Sequence, residues 1–223
     1  HILLKEYANK VGIEFLSTGF TLESIEFLSK LGLKRWKIPS GEINNTPLLR
    51  KVASKNQPTI ISTGMASLGE IEFALKTLYE SNLEKEKISV LHCNTAYPTP
   101  MEDVNLKAIN TIKNCFDINV GFSDHTSGIE ASIAAVAMGA LIIEKHITLN
   151  KNMSGPDHKA SIEPEEFFCL VNSIRNIEKA IGNGIKIPTN SEKINIKVAR
   201  KSIVAKKDIK KGDKYTNDNL SIK

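Results

Sequence analysis

Two histidines occupy matching places in this chain. His125 closes the run Gly121-Phe122-Ser123-Asp124-His125 and His146 closes Ile143-Glu144-Lys145-His146, each at the end of a short apolar stretch and each followed by polar residues. Neutral imidazoles ligate divalent cations well, and carboxylate or water can complete the oxygen-rich shell that manganese accepts. Side chains alternate along a strand, so Ser123 shares a face with His125, and Glu144 with His146. A single histidine at a strand end is more often a hydrogen-bonded structural residue. A pair ending successive units predicts a metal site, with His125 and His146 as its ligands. A third polar run, Ser154-Gly155-Pro156-Asp157-His158-Lys159, follows closely.

A second group of residues suits an anion. Lys37-Ile38-Pro39-Ser40-Gly41-Glu42, Ser62-Thr63-Gly64-Met65 and Cys93-Asn94-Thr95-Ala96-Tyr97-Pro98 each follow an apolar run and begin with small polar or charged residues. Their hydroxyls, the N–H groups beside Gly41 and Gly64, and the Lys37 ammonium are the donors with which proteins hold phosphate. Taken singly, each loop reads more readily as turn chemistry that caps the next helix. Several such loops beside two histidines point to a phosphorylated substrate and a metal.

Strands and helices must bring these groups together. Ile13–Ser17, Arg35–Pro39, Thr59–Ser62, Ile88–His92, Ile118–Phe122 and Ala140–Ile143 read as six strands. Glu23–Leu31, Leu68–Tyr79, Val104–Lys113 and Gly128–Met138 carry apolar residues at helical spacing, with Gly32 and Gly139 as stops. Ser67 and Glu70 form a capping box, Glu163–Ile181 reads as a closing helix, and residues 1–10 read as the end of an earlier one. Strict alternation implies parallel strands with crossover helices. The expected fold class is therefore α/β, a (β/α)8 TIM barrel of which strands 3 to 8 are present, with its site at the carboxyl ends of the strands. The partial barrel is expected over residues 1–182, a linker over 183–196, and the start of a small β-rich domain over 197–223.

Composition sets the outer limits. The chain has 223 residues, is 41% hydrophobic and carries a net charge of +5. Residues 193–223 hold ten Lys/Arg against three Asp/Glu, so the basic character belongs to the tail. Without interleaved aromatics such a tail reads as a solvated surface, and no nucleic-acid partner is expected. No apolar run approaches a membrane span, no signal peptide is evident, and cytoplasmic residence is the default expectation. Cys93, Cys115 and Cys169 form no CxxC pair and are expected to be reduced, mostly buried thiols.

The motifs quoted above, with His92-Cys93-Asn94-Thr95-Ala96-Tyr97-Pro98-Thr99-Pro100 and Gly155-Pro156-Asp157-His158, resemble those of the bacterial N-acetylneuraminate (sialic acid) synthases in order and spacing over essentially the whole chain. Residues 201–223 similarly resemble the start of the antifreeze-like (SAF) domain that follows the barrel in that family. The resemblance implies condensation of phosphoenolpyruvate with the open-chain aldehyde of N-acetylmannosamine, giving N-acetylneuraminate and phosphate by C–O cleavage. It implies Mn2+, replaceable by Mg2+, on His125 and His146. It implies that Lys37, Ser40, Ser62, Ser123 and Thr18 hold the phosphate and carboxylate of phosphoenolpyruvate, with Tyr97 and Asn94 or Thr95 nearby. Glu42 and Asp157 would hold sugar hydroxyls, and the full-length protein would be a domain-swapped homodimer.

Other readings stand beside these. Glu42 also reads as a first-turn helix carboxylate and Asp157 as a turn residue. By alternation Lys145 faces away from His146, toward packing between sheet and helices or toward catalysis, and His92 and His158 read as structural. Departures from the family pattern are Gly19 after Thr18, Ala96 beside Tyr97, and the absence of the first two barrel strands and of most of the SAF domain. The alternative activities are a legionaminate or pseudaminate synthase, with the same chemistry on a 2,4-diacetamido sugar, or an inactive truncated remnant.

Overall fold

Alternation of side chains along five short strands builds a sheet with two unlike faces. The computed structural model describes all 223 residues. Its central sheet is parallel throughout, in the order β1 (Trp36–Ile38), β2 (Thr59–Ser62), β3 (Ile88–Cys93), β4 (Asn119–Asp124) and β5 (Ile143–Lys145). Trp36 and Ile38, Ile61, Ile88 and Val90, and Val120 and Phe122 all point to one face, where they form the main core. Helices supply the other half of that core. These are α2 (Leu22–Leu31), α3 (Thr46–Ala53), α4 (Leu68–Glu80), α5 (Lys107–Phe116) and α6 (Glu130–Ala137), which contribute Leu28, Leu49, Val52, Leu78, Ile109 and Ala135 among others. Burying this many Leu, Ile and Val side chains, each worth roughly 1.5–3 kcal/mol, makes the helix-covered face the source of stability. The opposite face carries the polar residues of the strand ends together with the buried Ile60 and Leu91. The parallel half-barrel sheet is in keeping with the predicted partial barrel.

Local signals set the helix ends. The Ser67 hydroxyl and backbone N–H both meet the Glu70 carboxylate at 2.8 Å, the predicted capping box. Gly32 and Gly139 adopt φ of 77° and 99°, which lets the chain turn out of α2 and α6 without steric cost. The first helix, α1 (Ile2–Val11), and the closing helix, α7 (Pro164–Ile181), lie where the periodicity predicts.

Four expectations are corrected. Residues 13–17 join no ladder; Phe15 packs on the core and Glu14 pairs with Arg35 at 2.7 Å, so side chains rather than strand hydrogen bonds hold this stretch, and the sheet has five strands instead of six. Helix α3 was not expected: Asn45 caps it by accepting from the Leu48 N–H, Pro47 sits in its first turn, and Leu48, Leu49, Val52 and Ala53 form a buried stripe too short to stand out by periodicity. The strand expected over Ala140–Ile143 runs from Ile143 to Lys145, with Ala140–Ile142 as its approach. Only Cys93 is buried; Cys115 and Cys169 are exposed on α5 and α7.

The chain divides into two compact units, His1–Ile181 and Gly182–Lys223. In the second, α8 (Asn190–Ala199) occupies part of the stretch expected to be a linker over 183–196, because the Glu192 carboxylate accepts from both the N–H and the hydroxyl of Thr189 and starts a helix there. Strands β6 (Ile203–Ala205) and β7 (Leu220–Ile222) then pair antiparallel. No helix of the chain is long and apolar enough to cross a membrane.

Candidate active site

Register and alternation place the predicted chemistry on the face that the helices do not cover. Lys37 is level with Ile60, Ser62 with Leu91, Cys93 with Ser123, and Ser123 with Glu144. Because Ile60 and Ser62 share a face, as do Leu91 and Cys93, the residues Lys37, Ser62, Cys93, Ser123 and Glu144 line a single surface near the strand ends. His125 and His146 follow β4 and β5 directly and continue that parity.

An ion pair crosses this surface. Lys37 Nζ donates to both oxygens of Glu144, at 2.9 and 2.8 Å, joining the first strand of the sheet to the last. The Ser123 hydroxyl donates to Glu144 Oε1 at 2.7 Å and stands 3.3 Å from His125 Nε2. Burial works against charge on Glu144, but the Lys37 ammonium and the hydrogen bonds from Lys37 and Ser123 outweigh it and hold the carboxyl below its ordinary range. Glu144 is therefore an ionised hub. Its function is the main residue that the sequence reading left without a role, although its shared face with His146 was the signal.

The two imidazoles do converge. Their ring centroids lie 5.3 Å apart, and the Tyr97 ring sits 4.1 Å from His125 and 5.5 Å from His146. His125 Nδ1 meets the Asn94 carbonyl at 2.5 Å, and an N–H donated there leaves Nε2 as the nitrogen with a free lone pair. Burial lowers the His125 pKa, against the hydrogen bond to Asn94 and with the help of the neighbouring His146, so the neutral ring is favoured. A neutral imidazole oriented through its second nitrogen by a carbonyl is the arrangement of metal-ligating histidines. Asp157 Oδ2 lies 3.9 Å from His146 Nδ1, a carboxylate at the same edge. Two imidazoles with a carboxylate at hand are donor types that a divalent cation such as manganese accepts, although as they stand they do not form a group of three ligands around one point.

The remaining predicted residues are distributed as follows. Ser62 Oγ is buried without a partner, at the end of β2. The Ser40 hydroxyl accepts from the Gly64 N–H at 2.9 Å and lies 3.3 Å from Cys93 Sγ. A Cβ on Gly64 would stand 2.6 Å from Thr95 Cγ2 and 2.9 Å from Ser40 Oγ, so any larger residue there would have to push these two side chains aside. Asn94 Oδ1 accepts from the Ala96 N–H, which makes its side chain a turn former while its carbonyl orients His125. Glu42 Oε2 accepts from Asn45 Nδ2 at 2.6 Å, the helix-entry role that the sequence left open. Thr18 is half-buried in the stretch ahead of α2, outside the hydrogen-bonded cluster. Burial raises the Tyr97 pKa, with the charges of Cys93, Asp157 and Glu144 adding to it, and the phenol stays protonated. His92 hydrogen-bonds the Val104 carbonyl and stacks on Phe122 on the helix-covered face, and His158 bonds the Thr148 hydroxyl at 2.7 Å.

A parallel β/α sheet that gathers an ammonium, an ionised carboxylate, hydroxyls and two imidazoles at its strand ends has the architecture of the β/α-barrel enzymes. The chain belongs to the NeuB family, whose model matches residues 1–186. It is similar to the N,N'-diacetyllegionaminic acid synthase of Campylobacter jejuni, with 56% identity over 97% of this chain and 65% of that protein, and to the human N-acetylneuraminate-9-phosphate synthase, with 40% identity over 99% of this chain and 61% of that protein. Among solved structures it is similar to the N-acetylneuraminic acid (sialic acid) synthetase of Leptospira borgpetersenii in complex with citrate, with a TM-score of 0.81 and 38% identity over 88% of this chain and 68% of that one. The chain thus spans about 65% of the length of the first of these relatives.

Proposed function

We propose that the full-length protein condenses phosphoenolpyruvate with a 2,4-diacetamido-2,4,6-trideoxy sugar aldehyde of the mannose configuration, releasing phosphate and forming a legionaminate-type nonulosonate. The observation that carries the chemistry is the Lys37–Glu144–Ser123 cluster beside the converged imidazoles of His125 and His146. The choice of sugar rests on likeness: the relative named for diacetyllegionaminic acid is 56% identical, against 40% for the human N-acetylneuraminate-9-phosphate synthase. That ranking moves the reading from the expected N-acetylmannosamine to the diacetamido alternative.

In this reading the Lys37 ammonium and the hydroxyls of Ser62 and Ser123 receive the phosphate and carboxylate of phosphoenolpyruvate, an anion exchanging for Glu144 on Lys37. Carbon C3 of the enol attacks the aldehyde carbon, water adds at C2, and the tetrahedral centre expels phosphate with cleavage of its C–O bond. Glu144, the ionised carboxylate of the cluster, takes the proton that the water loses. Tyr97 packs over His125 and excludes solvent, while Asp157 and Glu42 are the carboxylates assigned to polyol recognition. His125 and His146 would hold Mn2+ or Mg2+, which supplies Lewis-acid polarisation of the aldehyde when bound. Residues 201–223 are read as the start of an SAF domain, and the full-length protein as a cytoplasmic homodimer.

The test is phosphate release from phosphoenolpyruvate by the full-length protein with Mn2+, comparing 2,4-diacetamido-2,4,6-trideoxymannose with N-acetylmannosamine and carrying His125→Ala as control. A higher kcat/KM for the diacetamido sugar supports the proposal. Preference for N-acetylmannosamine restores the neuraminate reading, and no release with either sugar overturns both.

A further inference from the structure

A second ion pair lies on the other face of the sheet, directly behind the histidines. Lys145 Nζ is 3.0 Å from Asp124 Oδ2, and the two side chains are 2% and 0% exposed. Asp124 precedes His125, Lys145 precedes His146, and the two are register partners at the last rung of the β4–β5 ladder. Alternation turns both away from the imidazoles and into the space under α6.

The contacts of this pair bracket His125. Lys145 Nζ donates to the Thr126 carbonyl at 2.6 Å as well as meeting the Asp124 carboxylate, so one ammonium grips the residues on either side of His125. The carboxylate is fully occupied: Oδ1 accepts from the Thr126 N–H at 2.8 Å and its hydroxyl at 2.7 Å, and Oδ2 accepts from the Ser132 hydroxyl at 2.5 Å. Beyond this rung the two strand ends part company. The His125 carbonyl accepts from the Thr99 N–H and the His146 carbonyl from the Ile162 N–H, both at 2.9 Å, so the backbone bonds of the two histidines lead to different segments. On the helix-covered face the buried pair bridges the two strand ends, as Ser123 and Glu144 do on the other.

Energetics point the same way. An ion pair sealed from water loses more solvation than it readily recovers, and an apolar pair of similar size often serves stability as well or better. What a fully hydrogen-bonded pair adds is a fixed geometry. We propose that the Asp124–Lys145 pair is a positioning element that sets the separation of His125 and His146 from behind the sheet. This inference rests on the metal reading only for its first readout below.

The experiment uses the full-length protein without substrate. Asp124→Asn/Lys145→Met removes the bridge while keeping an oxygen for Thr126 and a long apolar chain under α6. Mn2+ affinity is followed by electron paramagnetic resonance, the imidazole 15N and 1H signals of His125 and His146 by NMR, and folding by thermal denaturation. The expected result is a Tm within a few degrees of the parent, Mn2+ binding weakened about tenfold or more, the range seen when a group that orients metal ligands is removed, and displaced His125 and His146 signals while His92 stays in place. Unchanged Mn2+ affinity and unchanged imidazole signals in the folded double variant would overturn the proposal. Should that variant fail to fold, Ser132→Ala removes a single bond to Asp124; a Mn2+ affinity lowered about threefold, the smaller share of the same effect, supports the proposal, and no change overturns it. If the parent protein takes up no Mn2+, the metal reading falls, and the imidazole signals alone decide the role of the pair.

Discussion

Lys37 and Glu144, 107 positions apart in sequence, close a contact between the first and last strands of the parallel sheet at 2.8 Å. Such a contact needs a sheet curled far enough for its edges to face each other across the polar surface. It also shows the site answering its own charge, with the Glu144 carboxylate held where an anionic substrate would meet the ammonium.

Removing the Glu144 carboxylate is expected to act on turnover far more than on folding, because Glu144 is 39% exposed and lies away from the apolar core. Glu144→Gln should lower kcat/KM for phosphoenolpyruvate by about a hundredfold or more, the usual loss for a positioned acid or base. Lys37→Met should raise KM for phosphoenolpyruvate as well. Steady-state phosphate release and a thermal melt on each variant check both halves.

His92 and His125 both titrate below the ordinary value of 6.5, burial being the main cause in each. Over the range in which an exposed histidine takes up its proton, a larger share of these two rings stays neutral. The unfolded chain then binds more protons than the folded one, so stability is fully present above about pH 6.5 and is lost as pH drops below it. Histidine NMR titrations should give midpoints under 6.5, and His92→Gln should flatten the decline in Tm between pH 7 and 5.

Two glycines are set by close approach, with different tolerance. A Cβ at Gly121 would stand 2.4 Å from Leu91 Cδ2 and 2.5 Å from the Ile142 carbonyl oxygen, which cannot rotate away. At Gly64 the nearest atoms belong to the side chains of Thr95 and Ser40, which can. Gly121→Ala should therefore cost stability by about 1–3 kcal/mol or more, the range for overpacking. Gly64→Ala should cost less in Tm but displace Ser40 and Thr95, and so reduce activity. Denaturant unfolding and phosphate release separate the two.

Tyr97 contributes mainly a ring. With 4.1 Å between its centroid and that of His125, Tyr97→Phe should keep most activity, while Tyr97→Ala should lower kcat/KM about tenfold by opening the site to water. Equal losses in both variants would instead assign the role to the hydroxyl.

Much of this arrangement was legible in the residues themselves. Short β-branched or apolar runs followed by polar residues marked Thr59–Ser62, Ile88–His92 and Ile118–Phe122, and alternation put Ser123 on the side of His125, and Glu144 on that of His146 with Lys145 on the other. What alternation could not supply was partnership. Residues 13–17 have the composition of a strand, but a strand exists only through its ladder, and no ladder forms there. Helix α3 was hidden because eight residues give too few turns for a period, and its Asn45 cap is visible only once the helix is known. The Lys37–Glu144 bond was out of reach for the same reason, since a contact across 107 positions depends on the curl of the whole sheet. Glu42 and Asn94 were correctly noted as polar strand-end residues, yet their side chains are engaged in local turns.

The unlike faces of the sheet separate two kinds of inheritance. Ile38, Ile61, Val90 and Val120 answer to the helices, whereas Lys37, Ser62, Ser123 and Glu144 answer to whatever enters from the other side. Apart from the Asp124–Lys145 pair, which reaches the histidines from behind, the two surfaces answer to different demands, so selection can retune what the protein recognises without renegotiating how it folds. Variation that tracks substrate should accumulate in the strand-end loops and on the polar surface, and the apolar side should drift only among residues of equal volume.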